Sequence, residues 1–308
     1  MKQFSTVSGS PITIGLGTGT AVKNLKRSNP DDKEKSDEIV KILNYAVKEA
    51  GYNHIDTAEI YLTHQEVGRV LKESGISRDN LWISTKYSVH SSMVQKKYFT
   101  PTDFINDTLK EFDTDYIDSL LIHHPFFHPS QSTKKYTLAS LWEEFIQIKK
   151  SGKVRYIGVS NCNVQQLQQL MAISDNLGGK EFYPAINQIE FHACLQNQSP
   201  GIVKFCQENN IQVQAYSPLT PLVKVGDGNP IMQHLLSSLE GKYKKTKAQL
   251  LLRYCLEKGI LPITTSSKQA RLSEFIDIYD FTIAREDIEQ IDSAGSKTPY
   301  QVYFNGLF

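Results

Sequence analysis

A surplus of either charge is missing from this 308-residue chain: 34 Lys and Arg stand against 33 Asp and Glu, a formal net charge of +1. A nucleic-acid binder shows a basic surplus or stripe, and none is present. The same balance argues against a disordered or membrane-surface protein, and the 40% of hydrophobic residues is enough for a sizeable core. No C-x-x-C pair occurs among Cys162, Cys194, Cys206 and Cys255, so zinc-ribbon and thioredoxin-type motifs have no support. Scattered single cysteines suit a reducing compartment, and a cytoplasmic protein is expected. The opening MKQFSTVSGS has no apolar run, so neither a signal peptide nor a membrane anchor is expected. Also missing is a G-x-G-x-x-G that runs straight into a helix. The early glycines read GLGTGT and then AVKNLKRSNPDDKEK, too polar and broken for a phosphate-binding helix. The charge run from Lys26 to Glu38 reads as a solvated loop and helix start.

What is present is alternation. After a short hairpin (Phe4 to Val7 and Pro11 to Ile14 around Ser8-Gly9-Ser10), helical stretches end at glycine and short apolar strands follow. Ser36 is read as the cap of a first helix with Ile39, Val40, Leu43, Val47 and Ala50 on one face, stopped at Gly51. Thr137 and Thr246 cap later helices that stop at Gly152 and Gly259, and Ser199-Pro200 opens another. The strands are IGLG, YNHID, LWISTK, YIDSLLIH, VRYIGVS, AINQIE, IQVQAY and ILPIT. Strict alternation implies a parallel sheet, and eight units in about 300 residues fit a closed (β/α)8 TIM barrel. The expected fold is an α/β barrel forming one domain over residues 1–308, with an N-terminal β-hairpin and an extended C-terminal loop. An open doubly wound sheet is the alternative.

Barrels carry their chemistry at the carboxyl ends of the strands. Those ends hold Asp56, Lys86, His123, Asn187 with Gln188, and Tyr216, and Tyr61 follows Asp56 by five residues. Each alone has a plain structural reading: a cap, a snorkelling lysine, a structural histidine, a packing aromatic. Together they weigh differently. Lys86 follows an apolar strand and should be drawn inward beside Asp56, because a buried charge without a partner is expensive. A metal-dependent barrel hydrolase is a second reading, since His54 and Asp56 share a strand face and His123, His124 and His128 are near one another. His123 and His124 should point to opposite sides, however, further ligands have no clear source, and no metal is expected. A cofactor-sensing subunit without turnover is a third reading.

The segments HIDTAEIY, ISTK, LLIH, IGVSN, NQIE and AYSPL resemble the signatures of the aldo-keto reductases, in order and spacing. The likeness runs from the opening hairpin to about Phe281. QNQSPGIVKFCQENNI and ILPITTSSKQARL are similar to the fungal branch with conjugated polyketone, ketopantoyl-lactone and α-keto amide reductases. The resemblance implies a catalytic tetrad of Asp56, Tyr61, Lys86 and His123. It implies NADPH, held by Thr18, Ser160, Asn161, Gln188, Tyr216, Ser217, Leu219, Thr265, Ser266, Ser267, Lys268 and Arg271. Thr265 stands where relatives often have a phosphate-binding lysine, and Phe275 where they often have an asparagine near the adenine, a place where its ring would stack instead. Hydroxyls beside Lys268 and Arg271 still make a phosphate site, so NADPH is expected over NADH. Tyr87, His124, Phe126, Phe127 and Tyr303 are the expected pocket walls, with the tail YQVYFNGLF over the mouth.

The chemistry follows from the residue types. Ketone reduction needs a hydride on carbon and a proton on oxygen. Tyr61 would supply the proton, but a free tyrosine has a pKa of about 10. Lowering it by about three units takes roughly 4 kcal/mol, which an ammonium about 4 Å away supplies at an effective dielectric of about 20. Lys86 is therefore expected to acidify Tyr61, with Asp56 holding Lys86 and His123 donating to the substrate oxygen. The substrates expected are compact activated carbonyls: ketopantoyl lactone, conjugated polyketones, isatin-like diketones, and α-keto esters or amides. A monomer is expected, with a dimer left open.

Overall fold

Eight parallel strands close on themselves in chain order in the computed structural model, which describes residues 3–26, 29, 31–89, 98–126 and 136–307. They are β1 (Gly15–Gly17), β2 (His54–Asp56), β3 (Trp82–Tyr87), β4 (Ile117–Ile122), β5 (Val154–Ser160), β6 (Ile186–Glu190), β7 (Gln212–Tyr216) and β8 (Leu261–Thr264). Closure is shown by β1 pairing with β8, Leu16 opposite Thr264. All eight expected strands are present, and closure excludes the open-sheet alternative. Phe127 and His128 lie outside the described residues. Among the described residues no helix is long and apolar enough to cross a membrane.

The helix signals were mostly local and mostly sound. Thr137 and Thr246 close capping boxes on the helices Leu138–Lys150 and Lys247–Glu257. Gly51, Gly152 and Gly259 take the left-handed conformation where helices stop, as glycine can without a Cβ clash. Two caps are placed differently. The first helix, Lys33–Tyr45, is capped by Asp32, whose carboxylate accepts from the Lys35 amide at 3.0 Å. Ser36 is instead buried and donates to Glu66 Oε1 at 2.6 Å. Lys26 joins them, 2.7 Å from the same carboxylate, so the charge run begins in the interior and not in solvent. The helix Ile202–Glu208 starts after Gly201, not at Ser199-Pro200.

The hairpin is reduced to one antiparallel bridge, Ser5 to Pro11. Its role is to seal the amino end of the barrel. Phe4 packs on Trp82 and Tyr156 with ring centroids 4.9 and 4.7 Å apart. Beneath it the Asp118 carboxylate is buried between Arg78 at 2.7 Å and Arg155 at 2.5 Å.

Above this base the barrel interior is polar around His54. Its ring is fully buried, with Nε2 3.2 Å from Ser84 Oγ and Nδ1 lacking a hydrogen-bond partner. Burial holds the imidazole down at about 4, against the partial opposition of the Asp56 charge. An unfolded histidine titrates near 6.5, so between about pH 6.5 and about pH 4 the unfolded chain binds more protons. Stability therefore falls as pH drops through that window, by up to about 3 kcal/mol from this ring, and is unaffected above it. Urea unfolding at pH 7 and pH 4.5 should show the loss, and His54→Gln should shrink it. An equal loss in the variant would assign the effect to other groups.

Candidate active site

Strand alternation turns Lys86 into the barrel, where it is fully buried, and Asp56 at the end of β2 receives it. Lys86 Nζ donates to Asp56 Oδ2 at 2.5 Å and to the Thr57 carbonyl at 3.1 Å. Asp56 Oδ1 accepts from Gln188 Nε2 at 2.9 Å, and Gln188 also donates to Gln214 Oε1 at 3.1 Å. The ion pair is thus hydrogen-bonded on both carboxylate oxygens, the condition under which a buried pair is tolerable. The same alternation sends the neighbouring Tyr87 to the other face. It is fully buried against Phe104 in the core and is not a wall of the rim.

Tyr61 follows β2 on a single helical turn, Glu59–Tyr61, closed by Leu62 in the left-handed conformation. Its ring meets His123 edge-on, centroids 5.6 Å apart at 84°. Lys86 Nζ lies 5.1 Å from the Tyr61 ring centroid. These contacts bring Asp56, Tyr61, Lys86 and His123 together at one rim. His123 Nδ1 is 3.0 Å from Ser88 Oγ. With that hydroxyl donating, the ring proton sits on Nε2. Burial, then the Lys86 charge, pushes the imidazole well below its usual range, so it is neutral around pH 7.

The expected acidification of Tyr61 is not what the structure shows. Burial pushes the phenol above its ordinary value, and the Asp56 charge pushes it further. Lys86 is not a lone ammonium. Its charge is committed to Asp56, 2.5 Å away, and desolvation, with the Asp56 charge behind it, outweighs what the ammonium contributes at Tyr61.

The remaining cofactor candidates divide by position. Ser160 Oγ donates to the Gln188 carbonyl at 2.7 Å. Asn161, in the left-handed conformation, donates to the His123 carbonyl at 3.0 Å. Its Oδ1 accepts from Tyr216 OH at 2.8 Å and from Gln198 Nε2 at 3.0 Å. Ser217 turns the chain after β7 with φ 57°, and Leu219 packs partly on the core. Thr18 is buried, with its hydroxyl spent on Thr57 and Thr63 beneath the Tyr61 turn. After β8, Ser266 Oγ accepts from the Lys268 amide at 3.0 Å. Ser267, Lys268 and Arg271 are exposed. Thr265 Oγ1 is buried without a hydrogen-bond partner, and neither Lys268 nor Arg271 has an ion-pair partner among the described residues. An orphaned hydroxyl in the same short segment as two cations without an ion-pair partner fits a phosphate group. Phe275 is buried in the core and offers no open face for stacking.

On the substrate side, His124 and Phe126 stack with centroids 5.9 Å apart, and Phe304 of the tail meets both, at 6.0 and 5.0 Å. Tyr303 meets Tyr216 edge-on at 5.7 Å. The tail therefore does lie against this rim. Among the described residues no three His, Cys, Asp or Glu side chains are grouped to hold a metal.

Three participants escaped the sequence reading. Gln198 bridges Asn161 and Tyr216; the segment QNQSPG was in view but carried no geometric signal. Glu190, in NQIE, is fully buried and holds the tail. Gly19 faces Tyr61 so closely that a Cβ there would lie 2.6 Å from the ring. Since the ring is a movable side chain, Gly19→Ala should shift Tyr61 and leave the fold intact. A displacement near 1 Å lowers turnover by about a hundredfold, so kcat should drop with little change in Tm. Unchanged kcat would show that the ring is not held here during turnover.

The aldo/keto reductase family profile matches residues 13–296. The NADPH-dependent alpha-keto amide reductase of Saccharomyces cerevisiae is 37% identical over 314 residues, covering 100% of this chain and 96% of its own. The glyoxal reductase of Bacillus subtilis is 33% identical, covering 84% of each. Among solved structures, an aldo-keto reductase of Bombyx mori in complex with NADP superposes with TM-score 0.74 at 29% identity, covering 95% of this chain and 92% of its own.

Proposed function

The chain belongs to the aldo/keto reductase family, and from that premise we propose that it reduces small activated ketones with NADPH, Tyr61 delivering the proton. The observation that carries this reading is the buried Asp56–Lys86 pair beneath a tyrosine set edge-on to a neutral histidine. When bound, NADPH supplies the hydride. Ser160, Asn161, Gln188 and Tyr216 would hold its nicotinamide end, with Ser217 and Leu219 along the pyrophosphate. Thr265, Ser266, Ser267, Lys268 and Arg271 would take the 2′-phosphate, which the orphaned Thr265 hydroxyl supports.

In the reduction direction a high phenol pKa is no obstacle to holding the proton, since Tyr61 stays protonated until it is used. His123, neutral and with its proton on Nε2, donates to the carbonyl oxygen and orients it toward Tyr61. As the proton leaves, negative charge appears on Tyr61, and Lys86 stabilises it then and not before. Stabilisation confined to the transition state is what raises kcat.

The aromatic wall of His124, Phe126 and Phe304 suits flat, compact substrates. Diketones, α-keto esters or amides, and ketopantoyl lactone are the classes proposed, and the names of the yeast and Bacillus relatives support activated carbonyls in general. Following NADPH absorbance with isatin and with ketopantoyl lactone tests the reading. Turnover with either supports it; no oxidation of NADPH with any activated ketone would end it. Equal affinity for NADH and NADPH would remove the phosphate assignment alone.

A further inference from the structure

Glu190 ends β6 as a fully buried carboxylate that the reduction chemistry does not use. Both its oxygens are spent on the tail. Oε1 accepts from the Val302 amide at 2.8 Å and Oε2 from the Tyr303 amide at 2.9 Å, while His192 Nε2 lies 3.2 Å from Oε1. We propose that Glu190 is a positioning residue that latches the C-terminal tail as the roof of the substrate pocket and so sets the size of ketone admitted. This rests on the reductase reading of the site.

The residues just beyond the latch are those that face the rim. Tyr303 meets Tyr216, and Phe304 meets His124 and Phe126. Phe304 has φ 57°, a left-handed backbone that a bulky side chain rarely adopts. Such outliers persist only where the surroundings enforce them. The approach to the latch is also fixed. The helix Arg285–Ser296 sits on the loop after β6 so tightly that a Cβ on Gly295 would lie 1.8 Å from the Ala193 carbonyl oxygen, and the Tyr300 amide donates to the Cys194 carbonyl at 3.0 Å. Beyond Tyr303 the tail is mostly exposed, so two amide bonds to one carboxylate hold the segment that carries both aromatic rings. Bonds to an ionised acceptor are stronger than neutral ones. Releasing the tail would strand a buried carboxylate, which gives the roof a defined closed position.

Glu190→Gln tests this, since the new NH2 cannot accept from an amide and one of the two bonds is lost. Hydrogen exchange of the Val302 and Tyr303 amides, measured without cofactor or substrate, should speed up by about tenfold or more. With diacetyl as the compact ketone and benzil as the bulky one, KM for diacetyl should rise more than kcat falls. The benzil-to-diacetyl ratio of kcat/KM should rise about tenfold. Phe304→Ala, an exchange in the tail that leaves the barrel alone, should shift that ratio the same way, and adding Glu190→Gln to it should shift it little further. Unchanged exchange, an unchanged ratio in either variant, or full additivity overturns the latch. If Glu190→Gln does not fold, the unaltered protein decides: amides of Val302 and Tyr303 no better protected than those of Asn305 and Leu307 would overturn it. Exchange is read without turnover, so failure of the reductase reading and failure of the latch are told apart.

Discussion

Tyr61→Phe is expected to lower the rate of carbonyl reduction by about a thousandfold, the range lost when a positioned proton donor is removed. Phenylalanine keeps the ring against His123 and Gly19, so neither the fold nor the cofactor site should change. The check is NADPH oxidation measured beside NADPH binding by fluorescence. Loss of turnover with binding retained is the expected pattern; turnover within about tenfold of the unaltered protein would take the proton-donor role away from Tyr61. The unaltered enzyme should also show a flat pH profile for the chemical step of reduction from about pH 6.5 to about pH 9. Tyr61, pushed up by burial and Asp56, stays protonated below its raised value. His123, pushed down by burial and Lys86, stays neutral above its lowered value. Both active forms therefore span the window, and a slope tracking either group inside it would contradict the arrangement.

Lys86→Met should cost both activity and stability, and the two losses should separate. The substitution leaves the Asp56 carboxylate buried, with Gln188 still donating to Oδ1 and nothing on Oδ2 in place of the ammonium. Removing one member of a buried pair costs about 3–5 kcal/mol. Replacing both, as Asp56→Asn with Lys86→Met, removes the charges together and should recover most of that stability. It should recover none of the rate, because no cation remains to meet the charge that forms on Tyr61. Urea unfolding and single-turnover reduction measure the two sides. A double variant as unstable as Lys86→Met would mean that packing, not charge, holds these side chains. A double variant that regains activity would remove Lys86 from the chemistry.

Local signals carried well from sequence to structure. The glycine stops at Gly51, Gly152 and Gly259 need only the φ freedom of one residue, and the capping boxes at Thr137 and Thr246 need only neighbours three positions on. The inward turn of Lys86 needs only the two-residue period of a strand. That rule also places Tyr87 outward, a signal present in the sequence that the pocket assignment overlooked. Ser36, Lys26 and Phe275 were misplaced because each answers to a partner or a core far away in sequence, as Ser36 and Lys26 do to Glu66.

By itself the amino-acid sequence determined the eight-strand alternation, the strand ends that carry polar groups, and the family to which they belong. Those properties are periodic or short-range, so a linear reading captures them. Tertiary structure alone decided the direction in which Tyr61 is shifted, the use of Glu190 on the tail and the fit of Gly19 under the phenol. Each depends on distances between segments far apart in the chain, and charge pairing, desolvation and a missing Cβ act only when those segments meet.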